Sequence, residues 1–561
     1  MVLSRRRFLA GIGAGGIVLA AQPFRALAAP LGTITGPGAD RASRLHAGLR
    51  LAHADLHNHS HLSDGAGDPK DAFPSMRVHG LDVASLTDHS TLSFGAFSLL
   101  DICGEPLFPE AESGSSHDCR QLLGITEAAW ETTARLADEL HRDGEFVAIR
   151  GFEWSSPILG HMNVWFSQRW IDPLHTGGVG PEGVGAEAHA FPELGPELLQ
   201  PLLDEITRQS PLRGTGMAPF FQWLRSAPDA PVFGGGNDGI ASFNHPGREP
   251  GRFGYFRYFP ENRQQIVALE IMNRNDDYLF EGYGDGQYSP LVECLNAGWR
   301  VGLTGVTDEH GTNWGTYQGK GRTGLWLRED LGLTRGGVRE AMQARRVFAT
   351  REAGLRLDAT ANGVQMGMQV PHGSGPVNFA VDLDLGPAGE GKRVEIQVLR
   401  PDAAFPRVVY TEHAVVGVGA PIRFATALDR ADGDWVVLRV ADPSKPNDQQ
   451  GPDGHAANNR ALAYASPFWL VESSAASDSR PDEAGSRPEG DGGGGGDGTD
   501  DSTVVLGAVG QKPSSPGPSG NLPITGGAIG FWGLALAAIA AGARRLLRST
   551  DADRLTAPEE D

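Results

Sequence analysis

The chain has 561 residues, more than one ordinary domain, so two folded domains with tails is the expectation from length alone. A hydrophobic share of 40% suffices for a packed core, and three cysteines exclude a disulfide framework. The formal charge of −21 argues against nucleic-acid binding through the phosphates, which needs a basic footprint.

The N-terminus carries Ser4-Arg5-Arg6-Arg7-Phe8-Leu9, an apolar run through Ala21 and small residues at Ala26-Leu27-Ala28. Charged region, apolar region and cleavage site stand in the order of an export signal, with the arginines of the twin-arginine (Tat) route. Residues 1–29 are therefore read as a signal peptide engaged by the Tat translocon. That route carries folded protein, so a metal site can be filled in the cytoplasm before export.

Across residues 50–351, short apolar runs alternate with helical patterns. Strands are expected at His53–Ser60, Asp82–His89, Phe146–Trp154, Ile240–Pro246, Val267–Asn273 and Val301–His310. Ala129, Thr133, Leu136 and Leu140 mark a helix over Thr126–Arg142, and Ser289–Ala297 is a second. This alternation implies parallel strands with crossover helices, a barrel or open α/β sheet. Leu100–Gly124 and Gln168–Gly236 interrupt it and read as functional loops. Over residues 352–472 the period falls to two, as in Val377, Phe379, Val381, Leu383 and Leu385, which predicts a β-sandwich. Residues 473–521, rich in Gly, Ser, Pro and Asp, read as a disordered spacer.

Residues 522–548 open with Leu522-Pro523-Ile524-Thr525-Gly526, continue through an apolar run from Ala528 to Ala543, and end in Arg544, Arg545 and Arg548. The segment resembles an LPxTG-type sortase sorting signal, which would join the protein to the cell wall. Its apolar run of about 16 residues, roughly 24 Å of helix, also suits a transmembrane anchor with arginines on the cytoplasmic side. Either way the expected location is the cell surface. An acidic tail, 549–561, follows.

Chemistry concentrates at the ends of the expected strands. Asp55-Leu56-His57-Asn58-His59 ends the first, and Ser63-Asp64-Gly65 follows it. Residues two apart on a strand share a face, so His57 and His59 should project together. Thr87-Asp88-His89 ends the next strand, Glu153 closes Gly151-Phe152-Glu153, and His161 lies eight positions on. Asn244-His245-Pro246 and Thr307-Asp308-Glu309-His310 end two more. Barrel enzymes assemble active sites on the face where strands finish. Imidazole and carboxylate together are ligands for divalent transition metals.

This ordered set resembles the PHP (polymerase and histidinol phosphatase) family, over about residues 52–351. The resemblance implies a distorted (β/α)7 barrel binding two or three divalent ions, with Zn, Mn and Fe all suiting the ligands. His57, His59, Glu153 and Asp308 would share one ion. Glu153 would bridge to a second held by His161 and His245, and Asp64, His89 and His310 would hold a third. The insertions and the sandwich further resemble the carbaryl-hydrolase-like (CehA/McbA) branch. The implied activity is hydrolysis of small-molecule phosphoesters by a metal-bridging hydroxide, in which Glu153 and Asp308 are the catalytic carboxylates. Carboxyl-ester or carbamate hydrolysis on the same metals is the alternative, and a non-catalytic surface-binding protein is a third reading. The amidohydrolase superfamily shares the opening His-x-His but closes on a lone aspartate and uses a lysine. Here the region's lysines, Lys70 and Lys320, end no expected strand.

Arg248, just past His245-Pro246-Gly247, is a candidate clamp for an anionic group. Glu270 is read as a cap or salt-bridge carboxylate, with support of a metal ligand as the other reading. His61 and His79 read as structural or exposed, and His175 and His189 as loop residues. Cys103 and Cys119 bracket a loop and are candidates for a disulfide, and Cys294 reads as a buried helical thiol.

Overall fold

The computed structural model describes residues 41–90, 124–156, 159–173, 175–176, 216–247, 252–280, 288–316, 321–417, 419–446 and 455–472. Residues 1–29 and 473–561 lie outside this set, as do Arg248, His189, Cys103, Cys119 and Lys320. Among the described residues no helix is long and apolar enough to cross a membrane.

The first region runs β1 (Leu49–Asp55), α1 (Pro69–Val78), β2 (Val83–Leu86), β3 (His89–Ser90), α2 (Glu127–Leu140), β4 (Val147–Ser156) and β5 (Gly160–Trp165). It continues with α3 (Ala218–Arg225), β6 (Ile240–Phe243), β7 (Ile266–Asn273), β8 (Asp276–Asp277), α4 (Pro290–Asn296), β9 (Gly302–Val306), β10 (Arg322–Arg328), α5 (Arg335–Gln343) and β11 (Val347–Thr350). The two expected helices form where their caps place them. Thr126 accepts from the Ala129 amide to start α2, and Ser289 accepts from Val292 with Pro290 in the first turn of α4. Ala129, Thr133 and Leu136 are buried along one stripe of α2.

β1, β2 and β4 pair in parallel, and β6, β7 and β9 do likewise. Between the two sets β5 is antiparallel to both β4 and β6, so strict strand–helix alternation fails there. The result is a mixed α/β fold with an extensive sheet and few helices among the described residues. The row of strands turns back on itself through a parallel bridge between Asn58 and Glu309. There the His59 amide donates to Glu309 O at 2.9 Å and the Asp308 amide to His57 O at 3.0 Å. The C-terminal ends of the parallel strands, with the start of β5, therefore gather on one rim. β10 pairs antiparallel to β1. Helices α1 and α2 cover β2 and β4 with Phe73, Met76, Leu136 and Ala137.

The second region contains β12 (Arg356–Ala361), β13 (Val364–Gln365), β14 (Gln369–Pro371), β15 (Ser374–Asp384) and β16 (Arg393–Arg400). It ends with β17 (Arg407–Val415), β18 (Ile422–Asp429), β19 (Trp435–Pro446), β20 (Asn459–Ala465) and β21 (Phe468–Val471). One sheet has the order β13-β12-β15-β18. The alternating residues Val377, Phe379, Val381 and Leu383 of β15 enter one buried cluster with Ile396, Val398 and Leu438 of the other sheet. Strand β11 pairs with β20, Phe348 opposite Ala465, so the sheet runs unbroken from the first region into the second.

Under the rim, the ring of Phe220 in α3 stacks on Trp154 at 4.5 Å, and both are fully buried. Truncation to Ala at Phe220 should cost about 3–5 kcal/mol of stability, read as a lowered denaturant midpoint. A loss below about 1 kcal/mol would mean that α3 does not support the strand carrying Glu153.

Candidate metal centre

Each side chain of the expected set that lies among the described residues reaches the rim by a definable route. β1 ends at Asp55, two residues short of His57, so the two histidines stand on an extended segment past the strand rather than on it. That segment is held by Asp88, which accepts from the Ser60 amide at 2.7 Å and the Ser63 hydroxyl at 2.8 Å. The turn needs Gly65, because a Cβ there would meet Ser60 N at 2.7 Å and O at 2.8 Å. Asp64 is thereby folded back over the rim. Glu153 lies within β4, opposite His89 of β3 in the parallel ladder. His161 opens β5, opposite Ser155, because an antiparallel strand starts on the rim where its parallel neighbours finish. His245 follows β6 and Asp308 follows β9; their φ values are +23° and +48°, conformations non-glycine residues hold only when the surroundings impose them.

These groups converge. His57 Nε2 and His59 Nε2 are 3.0 Å apart. Asp308 Oδ1 is 3.5 Å from His57 Nε2 and 3.2 Å from His59 Nε2. Glu153 Oε1 lies 3.1 Å from His57 Nε2, 3.4 Å from His161 Nδ1 and 3.2 Å from His245 Nε2. Its Oε2 lies 2.6 Å from His89 Nδ1. Asp64 Oδ1 meets His89 Nε2 at 3.5 Å and His310 Nε2 at 3.3 Å. In three groups one ligand atom from each residue lies within 4.8 Å of the others: His59, Asp64, His89 and His310; His57, His59 and Asp308; and His89, Glu153 and His161. The sets interlock more than the sequence suggested, with His59 and His89 each shared between two.

Burial makes the charges interdependent. It favours neutral carboxyls, yet the imidazoles of His57, His161 and His89 hold Glu153 well below the usual carboxylate range. Asp308 is depressed likewise, against burial, by His57, His310 and the Arg274 guanidinium. Burial opposes charge on His57, but Glu270, Glu153 and Asp308 draw its pKa well above the usual value. His59 goes the other way: burial and the like charges of His310 and His89 push it well below. Protons alone therefore cannot serve every imidazole. Divalent ions fit the set better, because they accept nitrogen and oxygen lone pairs from all sides. His59 Nδ1, His161 Nδ1 and Asp64 Oδ1 are buried without a contact of hydrogen-bond geometry, although His161 Nδ1 and Asp64 Oδ1 face charged neighbours at 3.3–3.5 Å; donors crowded in this way suit a shared cation.

Two further groups emerge from the geometry. Glu270 Oε1 accepts from His57 Nδ1 at 2.8 Å, and its Oε2 accepts from the His245 amide at 2.8 Å. The carboxylate thus fixes the tautomer that turns the His57 Nε2 lone pair towards Glu153 and Asp308. The salt bridge expected of Glu270 is present, and its partner is the candidate ligand His57. Asn244 Nδ2 similarly donates to Glu153 Oε1 at 2.8 Å. Arg274, absent from the sequence reading, sets Nη2 3.3 Å from Asp308 Oδ2 and 2.8 Å from His310 Nδ1, with 43% of its side chain exposed. Its one sequence signal is its place immediately after an expected strand. Arg248, the arginine chosen from sequence, lies outside the described residues. His61 and His79 are exposed, and His175 bonds to Asp172 at 2.8 Å. Cys294 is a buried free thiol on α4, and Lys70 is exposed beside Asp68.

No family model and no curated protein matches the chain. A two-domain Bacteroides vulgatus protein containing a predicted PHP-like metal-dependent phosphoesterase is 15% identical, covering 76% of this chain and 99% of its own, with a TM-score of 0.33. A proposed metal-dependent phosphoesterase from Bifidobacterium adolescentis is 14% identical, covering 52% and 95%, with a TM-score of 0.22. An amidohydrolase from Chromobacterium violaceum, with bound sulfate and no metal, is 16% identical, covering 46% and 88%, at 0.22. Likenesses this loose carry no function, which must come from the centre itself.

Replacing Glu270 by Gln keeps every ligand but removes the charge behind His57. Metal affinity, measured by chelator competition, should fall about 10–100-fold, and an unchanged affinity would remove Glu270 from the centre.

Proposed function

We propose that the chain is a metal-dependent hydrolase of phosphoesters, exported and held at the cell surface. One observation carries the reading: Glu153, fully buried, lies within 3.4 Å of nitrogens from His57, His89, His161 and His245. Packing alone gives no reason to bury so many ionisable groups together, since each costs free energy unless compensated. Binding and chemistry do.

In this reading His57, His59, Glu153 and Asp308 would hold one ion, Glu153, His161 and His245 a second, and Asp64, His89 and His310 a third. Zn, Mn or Fe would suit these nitrogen and oxygen donors. Closely spaced divalent ions would acidify a shared water and polarise the phosphoryl oxygen. The chain's own groups prepare the place: Glu270 orients His57, Asn244 steadies Glu153, and the parallel strand ends fix the spacing. The half-exposed guanidinium of Arg274 beside Asp308 and His310 favours an anionic phosphoester over a neutral carboxyl ester or carbamate. The self-closing row of strands supports the distorted (β/α)7 barrel of the PHP family. The two sheets sharing one cluster support the sandwich. Delivery by the Tat translocon, and retention by sortase or a membrane anchor, belong to the same reading on the strength of residues 1–29 and 522–548.

The purified chain should hold more than one equivalent of divalent metal by elemental analysis and turn over phosphomonoesters or phosphodiesters. His57→Ala should lower kcat/KM at least about a hundredfold. Substoichiometric metal with no hydrolysis of any ester, or activity indifferent to His57→Ala, would overturn the reading.

A further inference from the structure

The hairpin that presents Arg274 is braced in part by residues of the second region. β7 and β8 form a tight hairpin in which Asn273 pairs with Asp276, leaving Arg274 and Asn275 at the tip. Arg274 has φ +50°, a conformation such tips usually give to glycine or asparagine. An arginine there costs conformational free energy. Its side chain and its surroundings must supply the reason.

The surroundings are unusually complete. The Arg351 guanidinium, 6% exposed, donates to three consecutive carbonyls of the tip: Arg274 O at 3.2 Å, Asn275 O at 2.8 Å and Asp276 O at 2.6 Å. Behind them, the Tyr464 hydroxyl meets both oxygens of Asp277 at 2.9 Å. Arg439 Nε donates to that same hydroxyl at 2.9 Å, and Arg439 Nη1 to Gln397 at 2.9 Å. Tyr464 of β20, Arg439 of β19 and Gln397 of β16 all come from the second region, and Arg351 directly follows β11, which pairs with β20. Asp277, Tyr464, Arg439 and Gln397 are each no more than 1% exposed. A network this buried transmits position rather than absorbing it. On the other side of the hairpin, Arg274 Nε donates to Asp308 O at 3.1 Å, beside the metal ligands.

We propose that Arg351 and the Tyr464–Asp277 pair are positioning residues: they hold the hairpin tip so that the Arg274 guanidinium receives the substrate's tetrahedral oxyanion, and the second region thereby sets affinity for it. This deepens the hydrolase reading and rests on it for the word substrate. A structural brace alone would not require an exposed guanidinium at a costly backbone position.

The test uses the full chain loaded with Zn, inorganic phosphate as the probe, and calorimetry for its Kd. Steady-state constants for 4-nitrophenyl phosphate and metal stoichiometry are measured alongside. Tyr464→Phe and Arg351→Lys should each weaken phosphate binding about tenfold and raise KM about tenfold, with kcat within about twofold and metal content unchanged. In an Arg274→Gln background neither change should weaken phosphate binding further, because both act through the missing guanidinium. Additive losses would overturn the inference, as would a lower Tm with an unchanged Kd, or no phosphate binding by the parent chain. If Tyr464→Phe does not fold, Arg351→Lys decides. Should the parent chain bind phosphate but hydrolyse nothing, the hydrolase reading fails while the phosphate cycle still decides the inference.

Discussion

A carboxylate buried among four imidazoles is the constraint around which the rim is arranged among the described residues. In a low-dielectric interior Glu153 must meet positive charge, yet each imidazole that takes a proton repels its neighbours. His59 shows the limit, driven towards neutrality by His89 and His310. A divalent cation resolves the conflict, since it attracts the carboxylates and draws on neutral nitrogen lone pairs together. The convergence of strand ends, the tautomer fixed by Glu270 and the unpartnered ligand atoms then have one common cause.

Below the ligands lies a polar layer that joins strands distant in sequence. Asp55, at the end of β1, accepts from both the amide and the hydroxyl of Thr307, the residue before Asp308. Burial raises its pKa to about 6, and the Thr307 bonds work against that rise. Asp88, beside His89, ties down Ser60 and Ser63 of the turn carrying Asp64. Each carboxylate of this layer lies in a different segment of the chain from the candidate ligand it steadies: Asp55 ends β1 while Thr307–Asp308 follow β9, and Asp88 follows β2 while Asp64 lies in the turn after β1. Relative placement of the candidate ligands is thus set by contacts between distant segments rather than by any single loop, as a metal centre would require.

The convergence of the candidate ligands was legible in the sequence because metal chemistry admits few residue types, and because apolar runs locate strand ends within a few residues. α2 and α4 were legible for the same local reasons: Thr126 and Ser289 announce them. β5 was not expected as a strand, and its antiparallel sense depends on neighbours rather than on its own pattern. His161 could be named as a ligand without a route to the rim. Glu270 offered two readings because nothing local distinguishes a capping carboxylate from one that turns an imidazole 213 positions away in the chain. Arg274 stayed hidden for a related reason: a positive φ and half-exposure are facts of three dimensions. The shift of His57 and His59 off the end of β1 follows from the ring closing at Asn58, a contact with Glu309 that no local pattern encodes.

Strain and support come together at this rim. His245, Arg274 and Asp308 are non-glycine residues with positive φ, and all three face the same cluster. Each is held by a group from elsewhere: Glu270 takes the His245 amide, Arg351 caps the Arg274 carbonyl, and His57 O receives the Asp308 amide. Such backbone states persist where surrounding structure over-determines them, and they mark places where geometry matters more than stability. All three supports come from the first region, but Arg351 is anchored by its amide to Leu462 O of β20, and Tyr464 of β20 holds Asp277 of the same hairpin. The second region is therefore more than a neighbour fused to the sheet, since the hairpin that completes the rim is locked from its side.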